Sequence, residues 1–270
     1  MGELSPLAAL EKRLVYQPAP FPTNWDSENS PFEDVVFNSS DGTQLHGWFL
    51  DHPEPIGIAL FCHGNAGNIA GRGDSLMLLN QRHRLAVMTF DYRGFGKSEG
   101  KPNERGILAD AQAARNWLAN RKGIPNSEII LMGRSLGGAV AVDLASREQP
   151  KALVLASTFS SMPDVAKNVL PLLPARLLMT QRFNSIEKIR HYNGPLLQSH
   201  GDADDLIPIA DGQKLFAAAS GPKRFVVIPG GTHNSPQSEE YRIALDEFLS
   251  ELHAGGSNSE RLDKVAPWAK

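Results

Sequence analysis

Cysteine is almost absent from these 270 residues: Cys62 stands alone. A lone cysteine excludes an internal disulfide, leaves the redox compartment open and favours the cytoplasm. Excess charge is also missing, since the net charge of −3 gives no electrostatic case for nucleic acid or an anionic membrane as partner. No apolar run approaches the length of a membrane span, and the N-terminus lacks the charged-then-apolar pattern of a signal peptide. Neither a Cys/His cluster nor a His-Glu-x-x-His spacing occurs, so no metal is expected. There is no internal repeat and no low-complexity tract, although residues 254–270 read as a loosely ordered tail. What is present is 41% hydrophobic content, enough to bury one large core without a visible linker.

The chain is organised around Ile129-Ile130-Leu131-Met132-Gly133-Arg134-Ser135-Leu136-Gly137-Gly138. Its first four residues are apolar, as in a strand buried on both faces, and Leu136, Ala139, Val140 and Leu144 continue with helical spacing. Between strand and helix lies Gly133-x-Ser135-x-Gly137, the pattern of a nucleophile elbow. A turn this sharp strains the serine backbone, leaves no room for side chains two residues away, and lifts the hydroxyl towards substrate. The backbone N–H of Leu136 then opens a helix N-terminus, where negative charge is favoured. By composition alone the pattern arises by accident in about one chain in ten of this length, so it needs partners elsewhere to carry weight.

The rest of the chain alternates strands with helices. A helix over Leu4 to Tyr16 and a proline-rich arm precede a hairpin, Asp34–Phe37 and Gln44–Leu50, turning at Asp41-Gly42. Strands follow at Ile56–Phe61, Leu85–Phe90, the elbow, Lys151–Ser157, Pro195–Ser199 and Arg224–Ile228, with helices between them. This predicts an α/β fold: a mostly parallel eight-stranded sheet flanked by helices, antiparallel at one edge, spanning residues 35–253 after an arm over 1–34. Residues 158–192 break the rhythm with a Leu/Met-rich, proline-interrupted stretch, read as a short helical cap over the carboxyl edge of the sheet.

A serine hydroxyl attacks an acyl carbon only if a base takes its proton. His233, in a glycine-bearing loop after the last strand, is placed for that role. The imidazole needs a carboxylate to fix its tautomer, and Asp202, Asp204 and Asp205 all follow the preceding strand; by chemistry alone any of them serves. Serine, acid, histidine is the chain order of one hydrolase architecture and not of the chymotrypsin or subtilisin arrangements. A second oxyanion donor is expected from His63-Gly64-Asn65-Ala66-Gly67-Asn68, with the Asn65 N–H first choice and Ala66 second. His63 is expected to hold that loop, and Cys62 to be buried and inert. Asp91-Tyr92-Arg93-Gly94-Phe95-Gly96 lacks the lysine and spacing of a phosphate loop, so Asp91 and Arg93 read as ties to neighbouring backbone.

Four stretches together resemble the α/β-hydrolase superfamily: the His63–Asn68 loop, Asp91–Ser98, Gly133–Gly138 and His200-Gly201-x-x-Asp204-x-x-Ile207-Pro208. The resemblance covers about Val35 to Leu252. Within the superfamily the chain is similar to the short-capped esterase and protein-depalmitoylase-like group, which shares the His-Gly-Asn-Ala-Gly-Asn loop. Many eukaryotic members of that group carry a membrane anchor or lipidated cysteines, and this chain has neither. The resemblance implies the α/β-hydrolase fold and Asp204 as the acid. The expectation is a cofactor-free serine hydrolase acting on a small-molecule ester or thioester. Ser135, His233 and Asp204 would be its triad, Leu136 and Asn65 its oxyanion hole, and Met162, Leu172, Leu177 and Met179 its acyl-binding residues. An aminopeptidase-like amide hydrolase, an acyltransferase and a non-catalytic binding protein on the same fold are the alternatives.

Overall fold

The computed structural model describes residues 6–25, 30–172 and 174–254; the tail expected beyond that lies outside the described residues. Eight strands form one sheet: β1 (Glu33–Asn38), β2 (Gln44–Leu50), β3 (Gly57–Cys62), β4 (Leu85–Phe90), β5 (Ile129–Arg134), β6 (Ala152–Ala156), β7 (Leu196–Gly201) and β8 (Lys223–Ile228). Their spatial order is β8-β7-β6-β5-β3-β4-β2-β1. β1 and β2 pair antiparallel, as do β2 and β4, and every other pairing is parallel. The predicted fold is thus borne out, with the antiparallel hairpin at one edge.

Alternate residues of the central strands feed opposite faces. Leu131, Leu153 and Leu155 enter one apolar core beneath helices α3 (Glu104–Lys122) and α4 (Leu136–Arg147). Ile130, Met132 and Val154 enter a second core on the other face, with Leu245 and Phe248 of the C-terminal helix, Glu239–His253. Full burial of each such side chain stabilises by roughly 2 kcal/mol, which is why strands covered on both sides read as unbroken apolar runs. Helix α3 begins where Asn103 Oδ1 accepts from the Gly106 N–H (3.0 Å), and it ends at Gly123, whose φ of 64° only glycine adopts readily.

Of the backbone ties predicted after β4, the one from Asp91 is present, whereas the Arg93 side chain binds other side chains and not backbone. Arg93 directs Nε and Nη2 onto the fully buried Asp110 carboxylate and Nη1 to Asp41 (2.8 Å), while Asp91 Oδ1 accepts from the Ile69 N–H (2.9 Å). The cap is three short helices, α5 (Met162–Val169), α6 (Ala175–Leu178) and α7 (Ser185–Lys188). Pro163 sits in the first turn of α5, where a missing N–H costs nothing, and Pro171 and Pro174 separate α5 from α6. Helix α1 (Pro6–Val15) runs into a two-residue ribbon, Gln17–Pro18 pairing in parallel with Ala66–Gly67, which the sequence pattern had not suggested.

Candidate active site

Four loops meet at the carboxyl ends of β3, β5, β7 and β8, around the point where the strand order reverses between β3 and β5. Ser135, between β5 and α4, has φ 53° and ψ −120°, a strained conformation for a residue with a Cβ. Packing fixes the turn. A Cβ on Gly133 would stand 2.2 Å from the Gly137 carbonyl oxygen, and one on Gly137 would stand 2.0 Å from that of Cys62. Ser135 N–H donates to Ala156 O (2.9 Å) and Thr158 Oγ1 donates to Ser135 O (2.9 Å), so the strained residue is held from both sides.

The serine hydroxyl points at an imidazole. Ser135 Oγ lies 3.1 Å from His233 Nε2, and His233 Nδ1 lies 2.8 Å from Asp204 Oδ2. That arrangement has Ser135 donating to Nε2 and Nδ1–H donating to the carboxylate, the tautomer a base needs. The other oxygen of Asp204 accepts from the N–H groups of Leu206 (3.1 Å) and Ile207 (2.8 Å). Burial alone would raise the Asp204 pKa. The hydrogen bonds from His200, His233 and Ile207 outweigh it and hold the carboxyl well below the usual carboxylate range. Of the other two candidate acids, Asp202 is spent accepting from the Gly230 N–H (2.6 Å). The residues Ser135, Asp204 and His233 are brought together from three loops, each at most 9% exposed.

Two supports were not visible in the residue pattern. Arg134 Nη2 donates to His233 O (2.6 Å) and Ser235 O (3.3 Å), fixing the histidine loop to the elbow strand. His200 Nε2 lies 2.8 Å from Ile207 O and 3.4 Å from Asp204 Oδ2, bracing the acid loop.

Leu136 and Asn65 both border the same cavity as Ser135. The Leu136 N–H opens α4. Asn65 is immobilised through its other groups: its side-chain Nδ2 donates to Val15 O (3.1 Å) and its carbonyl accepts from Gln17 N–H (2.9 Å). Its own N–H is engaged in no loop hydrogen bond among the described residues. The arm after α1 therefore anchors the loop next to the serine.

The cavity has a volume of about 760 Å³. Met162 and Met179, each 8% exposed, lie in its wall. Leu172 and Leu177 do not, and this corrects their assignment as acyl-binding residues: they are 100% and 84% exposed and border no part of it. The reason is geometric. Ala175 opens the one-turn helix α6 and Met179 caps its end; both are buried, Leu177 between them faces outward, and Leu172 sits in the turn between two prolines. The wall instead includes Phe159, Val165 and Leu178, and also Leu10, Leu14 and Val15 from α1. The four-residue spacing of Leu10 and Leu14 is the signal that marks that face.

At the base of the 63–68 loop, His63 is fully buried; its Nδ1–H donates to Gly64 O (2.7 Å), and Tyr92 OH donates to its carbonyl (2.8 Å). Burial, aided by the positive charge of Arg72, lowers its pKa from the usual 6.5 to about 4 against the opposing pull of Asp91. Between these pH values the unfolded chain binds a proton that the folded chain refuses, so stability is full above pH 6.5 and falls as the pH drops towards 4. The loss from this residue is about 3 kcal/mol at most. Melting temperature followed across that range should fall steeply in the wild type and less steeply in His63→Asn; equal slopes would remove His63 as the cause. Next door, burial pushes the Cys62 thiol up to about 12, which leaves it unreactive at neutral pH.

The family described as the alpha/beta hydrolase fold matches residues 60–183. An uncharacterized protein of Mycobacterium tuberculosis, Rv2307c, is 40% identical over 247 residues, covering 89% of this chain and 88% of that protein. The alpha/beta hydrolase domain-containing protein WAV2 of Arabidopsis thaliana is 36% identical, covering 97% and 90%. Among solved structures, the Pyrococcus furiosus esterase Pf2001 superposes with a TM-score of 0.72 at 19% identity, covering 88% and 97%, a likeness of fold.

Proposed function

The chain belongs to the α/β-hydrolase superfamily, and from that premise we propose that it is a serine hydrolase cleaving carboxylic esters or thioesters through an acyl-enzyme on Ser135. The observation that carries this reading is the unbroken line of hydrogen bonds from Ser135 Oγ through His233 to Asp204, opening into a chamber with largely apolar walls. Within the superfamily the reading favours the short-capped esterase and thioesterase group.

In the first half-reaction Ser135 Oγ attacks the acyl carbon and its proton passes to His233 Nε2. The oxygen that gains negative charge faces the N–H groups of Leu136 and Asn65; each such donor lowers the barrier by about 3 kcal/mol. The tetrahedral adduct collapses, the bond to the leaving oxygen or sulfur breaks, and the departing alkoxide or thiolate takes the proton from His233. In the second half His233 removes a proton from water, the hydroxide attacks the acyl-enzyme, and the carboxylic acid leaves as Ser135 recovers its proton. Asp204 keeps Nδ1 protonated throughout and stabilises the imidazolium. Met162, Met179 and Phe159 would hold the acyl chain.

The test is a series of p-nitrophenyl esters of increasing acyl length with a matched thioester and an amino-acid amide, run beside labelling by a fluorophosphonate. Turnover of esters and thioesters with labelling of a single serine is the expected result. Absence of both, or labelling that persists in Ser135→Ala, sinks the reading. Turnover of the amide alone would replace it with a peptidase.

A further inference from the structure

Arg72 stands where two hollows meet. With Ala66 it borders both the cavity that holds Ser135 and a second cavity of about 680 Å³, which runs along Pro22, Asn24 and Trp25 and touches no residue of the cap. The apolar side chains Phe159, Met162 and Met179 belong to the first cavity alone. Arg72 has donors to spare. Its Nη2 donates to Ala66 O (2.8 Å), whereas its Nε is buried and has no acceptor among the described residues. Trp25 Nε1, of the second cavity, is likewise buried without one. Buried donors without acceptors are rare in folded chains, and two in the lining of one hollow call for an acceptor from outside the chain.

No carboxylate answers this charge. Among the described residues none lies within 4.0 Å of the Arg72 or the Arg134 guanidinium. Arg134 borders the first cavity and gives its hydrogen bonds to the carbonyls of His233 and Ser235. Burial and the like charge of Arg72 lower its pKa against the pull of Asp204. The acids nearby are committed or elsewhere. Glu11 borders the first cavity but accepts from Thr180 and Gln181 N–H and from Thr180 Oγ1 (each 2.7 Å). Asp204 is held by His233 and by the Leu206 and Ile207 N–H groups. Asp74, Asp202 and Asp205 border neither cavity.

We propose that Arg72 binds an anionic group, a carboxylate or a phosphate, on the leaving-group side of the substrate. The acyl chain would lie in the first cavity and the alcohol or thiol would reach past Ala66 into the second. The two hollows set this direction. An unpartnered charge is costly among Phe159, Met162 and Met179, whereas a guanidinium fork matches the oxygens of a carboxylate or phosphate. The leaving-group assignment rests on the hydrolysis proposed above; anion binding at Arg72 does not.

The probes are three butyrate esters: of 4-hydroxyphenylacetate, of its neutral amide, and of the analogue with a phosphonate in place of the carboxylate. Wild type is expected to hydrolyse a charged ester with kcat/KM about tenfold or more above that of the amide, and the charged ester it prefers tells carboxylate from phosphate. Arg72→Gln should abolish the preference and Arg72→Lys should keep part of it. Losing the bond to Ala66 affects all three esters alike, so the charged-to-neutral ratio, and not the rate, reads the subsite. A wild-type ratio near one, or a ratio unchanged in Arg72→Gln, overturns the proposal. So does faster turnover of mono-p-nitrophenyl adipate than of p-nitrophenyl butyrate, which would move the anion to the acyl end. Turnover of no ester at all would sink the hydrolase reading instead. Calorimetric titration with free 4-hydroxyphenylacetate and its phosphonate analogue, in which no bond breaks, then decides the subsite. Binding that is lost in Arg72→Gln supports it; no binding to wild type, or equal binding to the variant, overturns it.

Discussion

Ser135→Ala is expected to lower kcat/KM for a p-nitrophenyl ester by about 10⁵-fold or more, with the fold intact. The size follows from what the hydroxyl does. Without it no acyl-enzyme forms, and the remaining donors can only assist direct attack by water. The informative companion is His233→Ala. If serine and imidazole act as one unit, either single variant loses nearly everything and the double variant loses little more. Activity in Ser135→Ala above about a hundredth of wild type would point to another nucleophile. A side effect has the opposite sign: Ser135→Gly should be inactive yet more stable than wild type, by about 1 kcal/mol, because glycine adopts a φ of 53° without strain. Thermal melts beside the kinetics would read both.

The second large effect is structural. Gly137→Ala places a methyl group 2.0 Å from the Cys62 carbonyl oxygen and 2.5 Å from that of His63. Both are backbone atoms at the end of β3, and Cys62 is itself paired with Gly133 of β5, so neither side can retreat without opening the sheet beside Ser135. Overpacking of this kind costs about 3 kcal/mol or more. For a chain of this size that is a drop in melting temperature on the order of 10 °C. Activity should fall as well, since the same displacement moves the Leu136 N–H. Gly71→Ala, where an added Cβ meets nothing within 4 Å, is the matched control and should melt close to wild type. A Gly137→Ala protein as stable as wild type would mean that the β3–β5 seam is more pliable than its packing implies.

How far the residues alone reached depends on whether the information was local. The strand–Gly-x-Ser-x-Gly–helix stretch is legible because every constraint on it acts over a few residues: apolar burial, a turn too tight for Cβ atoms, a helix start. The order of the sheet follows from the same rhythm of elements. Direction was not legible. Leu172 and Leu177 are apolar and lie in the right segment, but apolarity does not say which way a side chain points; the buried residues there are Ala175 of α6 and Met179 just after it. Contacts between distant parts of the chain were also hidden. Tyr16 OH donates to Gln181 Oε1 (2.7 Å) across 165 residues, and that bond joins α1 to the cap. By chemistry alone Asp202, Asp204 and Asp205 are equivalent, and only the family resemblance singles out Asp204. In space Asp204 faces the imidazole, whereas Asp202 holds the Gly230 N–H.

The ribbon between Gln17–Pro18 and Ala66–Gly67 joins residues 10–17 to the cavity that holds Ser135. A chain trimmed to begin at the first sheet strand would retain serine, histidine and aspartate. It would lose the bracing of Asn65 by Val15 and Gln17, together with the wall formed by Leu10 and Leu14. The smallest unit that keeps this cavity whole is therefore longer than its sheet.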